Sequence, residues 1–135
     1  MKISKYLISK IVFIIIVIVA GLSVYGYFSI WIPHAKLRNE SWWENTSQEE
    51  KLTLAHKILS TPIGNHHDAL LLVLKVGNKN SIPYLLKYLK RQGDAITNEF
   101  NICTRGHCIA ALKKITGKDL GLNYRDWKLI EKDFR

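Results

Sequence analysis

A chain of 135 residues has room for one small domain once a membrane segment is set aside. Its three prolines, eight glycines and lack of low-complexity runs argue against extensive disorder. The net charge of +9, from 20 basic and 11 acidic residues, invites an anionic partner. No zinc-finger spacing, RNP-like aromatic motif or Gly-rich phosphate loop accompanies it, so lipid headgroups are expected rather than nucleic acid.

Residues 1–10 form a short basic tail with Lys2, Lys5 and Lys10. From Ile11 to Ile32 about 22 residues carry no charge; at roughly 1.5 Å each they reach roughly 33 Å, enough for the ~30 Å hydrocarbon core. A cleaved signal peptide is the competing reading, with cleavage near Gly21 in Ala20-Gly21-Leu22-Ser23. Apolar character nevertheless continues through Val24, Phe28, Ile30 and Ile32, and Tyr25, Tyr27 and Trp31 sit where an interfacial aromatic belt would lie. The expectation is an uncleaved single-pass anchor over 11–32, in contact with membrane lipid. The basic tail outweighs Lys36 and Arg38, which lie beside Glu40 and Glu44. That bias places the N-terminus in the cytoplasm and the C-terminal part outside it, on a cell (inner or plasma) membrane.

Residues 33–46, rich in Asn, Ser, Glu and Trp, are expected to be a linker, with Trp42 and Trp43 at headgroup level or packed on the domain. Residues 47–135 follow as an all-α unit. Ser47-Gln48-Glu49-Glu50 fits a capping box at a helix start, and Leu52, Ala55, Ile58 and Leu59 recur at helical spacing until Thr61-Pro62-Ile63-Gly64. A second helix opens near Asn65 or His66 and stops at Gly77; being apolar almost all round, it should be the central one. Asn78 to Ser81 form a turn, and Pro83 opens a third helix with Ile82, Leu85, Leu86 and Leu89 on one stripe. A polar connection spans Gln92 to Asn101. The fourth helix is expected from Thr104 to Thr116 with Cys108, Ala111, Leu112 and Ile115 inward and Gly117 as its stop. A last helix carries Trp127, Ile130 and Phe134, with Asn123 as candidate cap.

Two stretches are alike, Leu74 to Lys79 and Leu112 to Lys118, with stop glycines about 40 residues apart, inside the ~40–47 period of HEAT or armadillo units. Ala-Leu-Leu-Leu-Val-Leu-Lys-Val-Gly at 69–77, followed by Ser-Ile-Pro-Tyr-Leu-Leu-Lys-Tyr-Leu at 81–89, resembles a HEAT-like repeat. Such units have an apolar first helix, a Gly-containing turn and an Ile-Pro-x-Leu start to the second. The tail from Ala110 to Gly121, with Trp127, looks like the terminal element of many bacterial HEAT-like proteins. With about two units, where a solenoid needs three or more, the resemblance implies a compact domain of about five helices.

Chemistry concentrates at Cys103-Thr104-Arg105-Gly106-His107-Cys108. Three readings stand side by side. Cys103 and Cys108 are a candidate disulfide if the domain is extracytoplasmic. Residues five apart on one helix diverge by about 140°, so a bridge requires Cys103 in the preceding loop. Cys103, His107 and Cys108, with His66 or His67, are candidate metal ligands, although the paired Cys-x-x-Cys spacing is missing. In the third reading Cys108 is simply core and Cys103 packs under the loop. His66-His67-Asp68 sits at a helix start, where Asp68 suits the dipole. No nucleophile with an activating base is legible, so neither an enzyme nor a cofactor is expected.

The sequence therefore points to a membrane-anchored, non-catalytic helical-repeat module that binds a protein partner by shape. The basic and aromatic side of the third helix (Tyr84, Lys87, Tyr88, Arg91) is the candidate interaction surface. The alternatives are a thiol- or metal-responsive module using Cys103, His107 and Cys108, and a passive envelope protein that contacts lipid.

Overall fold

In the computed structural model residues 5–93 and 99–134 are described; they are helical throughout their regular segments and contain no strand. Lys2, and positions 94–98 of the expected polar connection, lie outside the described residues, as do the side chains of Lys5 and Phe134.

Helix α1 (Lys5–Gly26) passes through a single π-helical turn (Tyr27–Trp31) directly into α2 (Ile32–Leu37). Pro33 accounts for the turn. Its ring lacks an N–H and crowds the carbonyl one turn back, and a local i→i+5 register relieves that conflict. The bond from the Ile32 N–H to the Tyr27 carbonyl has this register. One helix, Tyr6–Leu37, is thus long and apolar enough to cross a membrane; its 32 residues reach roughly 48 Å, well beyond the ~30 Å core, and its apolar stretch is not buried by the protein.

The linker expected over 33–46 is helical instead. Besides α2 it holds α3 (Glu40–Asn45), started by Asn39, whose side chain accepts the Trp42 N–H at 2.8 Å. Trp43 Nε1 donates to the Leu37 carbonyl at 2.7 Å, satisfying an acceptor that the end of α2 leaves open. Leu37 is buried in the domain core and Trp43 packs against it, with Lys51 and Lys75 at 5.5 and 5.7 Å from the indole. Among the described residues seven α-helices (α2–α8) consequently follow α1, two of them (α2 and α3) in or entering the stretch expected to be a linker.

The capping box is present: Ser47 and Glu50 bond reciprocally at the start of α4 (Gln48–Ser60). Asn65 caps α5 (His66–Val76), and Pro83 stands in the first turn of α6 (Ile82–Gln92). Helix α7 runs over Glu99–Thr116 and stops at Gly117, whose φ of 69° is left-handed. Helix α8 (Tyr124–Lys128) is short and buries Trp127, which donates Nε1–H to the Gly121 carbonyl at 2.9 Å.

Helix α5 packs between α4 and α7, while α6 closes against α7, α4 and α8. Ala55, Leu59, Ala69, Leu70, Val73, Leu85, Leu89, Ala111 and Leu112 are wholly inaccessible at these seams. Gly77 lets α5 end close to α7: a Cβ there would fall 2.3 Å from the Val73 carbonyl oxygen and 3.1 Å from Ile115 Cδ1. Lys114 of α7 completes the joint by donating Nζ to the carbonyls of Leu74 and Lys75 at 2.8 and 3.0 Å, a cationic cap on the C-terminus of α5.

Candidate functional site

The four residues expected to form a surface on α6 do not share an exposed face. Tyr88 is 1% exposed and belongs to the core. Tyr84 is half-buried and stacks flat on His56, with ring centroids 4.1 Å apart. Arg91 is exposed, as Lys87 is, but its guanidinium donates to the Leu59 carbonyl at 3.2 Å and lies 3.3 Å from His66 Nε2. The reason is the width of the buried arc. At 100° per residue Tyr88 falls beside Leu85 on the wheel, so the core stripe of α6 spreads to include it.

The cysteines also differ from expectation. Because α7 begins at Glu99 rather than near Thr104, Cys103 lies within the helix and not in the loop that a bridge to Cys108 would require. Both are free thiols, Cys103 exposed and Cys108 buried. Cys108 Sγ donates to the Leu85 carbonyl at 3.4 Å, and burial drives its thiol far up, against a smaller downward pull from Arg105. It is a packed core residue, out of reach of any set that includes Cys103. Arg105 itself is buried and donates to the carbonyls of Gly93 and Leu122, tying together segments on either side of α7.

The earlier start of α7 brings another group together. Cys103 and His107 stand four residues apart and therefore share a face; Cys103 Sγ lies 3.4 Å from His107 Nε2. From the first turn of α5, His67 brings its ring to 5.0 Å from that of His107, edge to face. One ligand atom from each of His67, Cys103 and His107 lies within 4.8 Å of the other two. His67 Nδ1 is 3.1 Å from Asp68 Oδ1, and Asn65 donates its side-chain amide to the other Asp68 oxygen. His66, also a candidate, turns away: it is buried, with Nε2 3.0 Å from the Thr61 carbonyl.

Charge at this cluster follows from its surroundings. Burial raises the Asp68 carboxyl, but the hydrogen bonds from His67 and Asn65, with the charges of His67 and Arg38, outweigh it and hold the group below its ordinary value. His107 is lowered, first by burial and then by His67. The Asp68 carboxylate thus stands behind the His67 ring, and the exposed Cys103 thiol lies beside His107. Spacing alone carried a signal for this group, since Cys103-x-x-x-His107 is an i,i+4 pair on any helix that starts before Cys103. Asp68 as the partner of His67 had no signal beyond adjacency. No known protein family, characterised protein or solved structure matches this chain.

Proposed function

We propose that this chain is a membrane-anchored, non-catalytic helical module that holds its domain at a membrane surface and binds a protein partner there. The observation that carries this reading is the helix Tyr6–Leu37, whose apolar stretch no other described part of the chain covers. Ile, Val and Phe side chains left open over that length need a hydrocarbon environment. Tyr27 and Trp31, stacked with centroids 5.3 Å apart at the domain end of the span, suit an interfacial position.

The same helix supports a rigid presentation rather than a tethered one. It ends in a core residue, Leu37, and the Trp43 indole clamps its last turn. The Lys-rich tail favours a cytoplasmic N-terminus and an extracytoplasmic domain. The α5–α6 pair, with its close turn at Gly77 and Pro83 in the first turn of α6, supports the HEAT-like reading, in which binding is by shape and needs no cofactor. The inaccessible Cys108 thiol is unsuited to act as a nucleophile, which needs an exposed, readily ionised sulfur.

Membrane fractionation tests the reading. Full-length protein should stay in the pellet after carbonate extraction and keep its N-terminus. In a bacterial host, a reporter active only in the periplasm should work when fused after Arg135. A soluble mature form beginning near Gly21 removes the anchor, and activity of only a cytoplasmic reporter inverts the topology. A partner crosslinked in membranes should be retained by the full chain and lost from residues 1–46 alone.

A further inference from the structure

We propose that His67, Cys103 and His107 form a three-ligand site for Zn²⁺ where the start of α5 meets α7. This is independent of the membrane reading and adds a metal-binding element to the domain.

The geometry is close to what the ion needs. With Zn–S near 2.3 Å and Zn–N near 2.0–2.1 Å, ligand atoms at tetrahedral angles stand about 3.3–3.6 Å apart. Cys103 Sγ and His107 Nε2 already meet that spacing at 3.4 Å. The third atom lies within 4.8 Å of both, so closure needs about an ångström of side-chain rotation at half-exposed positions. Cys103 and His107 come from one rigid face and His67 from a neighbouring helix, so the chelate is built on elements that the core holds in place.

Ligand chemistry selects the ion class. One thiolate and two imidazoles suit Zn²⁺ and its borderline neighbours, whereas Ca²⁺ and Mg²⁺ demand oxygen ligands that this set lacks. A ligating imidazole normally gives its other ring nitrogen to a carboxylate. His67 has that arrangement, with Nδ1 against Asp68 and Asn65 steadying the carboxylate from the far side, which leaves Nε2 for the ion. Zn²⁺ with one thiolate carries a net positive charge, and Asp68 balances it in an otherwise basic chain. Cys103 is exposed, so the fourth position faces solvent and is filled by water. A bound ion would staple α5 to α7 across a long connection and stabilise the folded domain by mass action.

The test uses the full chain in detergent micelles, purified without a histidine tag and stripped with chelator. Titration with Co²⁺ as a probe for Zn²⁺ should show one equivalent, tetrahedral ligand-field bands and a thiolate-to-cobalt charge-transfer band; Zn²⁺ should displace it. Cys103→Ser should abolish the charge-transfer band, and His67→Ala or His107→Ala should each weaken binding at least tenfold. Asp68→Asn should weaken it about 10–100-fold with stoichiometry unchanged, while His56→Ala leaves it alone. A measurement on the unmutated chain guards against misfolded variants: Zn²⁺ should slow maleimide alkylation of Cys103, the one accessible thiol. The proposal is overturned by uptake well below one equivalent, by a charge-transfer band that survives Cys103→Ser, or by alkylation that Zn²⁺ does not slow.

Discussion

Helices α1 and α5 are both rich in aliphatic residues and end in opposite environments. In α1, Phe13, Ile14 and Ile16 are 67%, 56% and 60% exposed; in α5, Leu70, Leu72 and Val73 are at most 1% exposed. Helix α5 has its apolar surface covered by α4 and α7 and its termini by specific partners, Asn65 and Asp68 at one end and Lys114 at the other. The apolar stretch of α1 has no such cover among the described residues, and its first turn holds no acidic residue to complement the dipole. Ser23 within it returns its hydroxyl to the Val19 carbonyl at 2.8 Å, the way a polar group is satisfied where water is absent. Composition decides that a helix is apolar, and the rest of the chain decides which solvent it receives.

The largest expected effect comes from treating the two helices alike. Leu112→Ala, which opens the α5–α7 seam, should cost about 2–5 kcal/mol and can unfold so small a domain. Ile16→Ala should leave the denaturant midpoint of the domain unchanged, because Ile16 lies in the apolar stretch that the described part of the domain leaves uncovered. Its charged counterpart, Ile16→Arg, should instead lower membrane insertion, at about 2.5–3.5 kcal/mol for a charge at the centre of a span. Circular-dichroism unfolding in micelles and carbonate extraction read the two separately. Domain destabilisation by Ile16→Ala would mean that α1 packs on the domain after all.

Much of the domain was legible because its helix boundaries are written in side chains with one strong local role. Ser47 with Glu50, Asn65, Pro83 and the glycines at 77 and 117 mark starts and stops whose chemistry acts within one turn. The stretch 33–46 was misread because its polar composition resembles a linker. Its helices depend on Trp43 reaching back to Leu37, a contact that local pattern does not encode. A similar limit affected the candidate site. An α7 start five residues too late turned Cys103 into a loop residue, which kept Cys108 beside Cys103 and His107 in the expected ligand set although only His107 shares the face of Cys103. Tyr88 was misplaced because a stripe of four aliphatic residues underestimates how wide a buried arc becomes when α4, α7 and α8 all touch α6.

A smaller effect sharpens the contrast at the helix ends. Ser47→Ala removes the acceptor of the Glu50 N–H, at 3.2 Å, and the hydroxyl that donates to the Glu50 carboxylate at 3.2 Å, while the backbone N–H of residue 47 keeps its own bond to that carboxylate. The expected loss is about 1 kcal/mol, read as a shift in denaturant midpoint with unchanged slope. A cap is worth this much to α4 because its first turn is solvated. A shift of several kcal/mol would mean that Ser47 holds more than its own helix.

The smallest expected effect concerns pH and tests whether α4 and α6 meet through a neutral ring. His56 lies between Tyr84, stacked on its face, and Ser81, whose Oγ is 2.9 Å from Nε2. Burial lowers its pKa from the ordinary 6.5. Below that pH the unfolded chain takes up a proton that the folded ring resists, so the unfolded state binds more protons and stability falls with acidification. The contribution of His56 is therefore complete above about pH 6.5 and is lost progressively as pH drops toward its lower folded value. His66 and His107 are shifted in the same direction, so the wild-type decline is a sum over three rings. Comparing denaturant midpoints at about pH 7.5 and 5.5 in His56→Gln and wild type isolates one share, because a glutamine amide can still bond Ser81 but does not titrate. The variant should lose less stability than wild type across that interval. Equal losses would mean that the imidazole charges in place, with Tyr84 and Ser81 accommodating the cation.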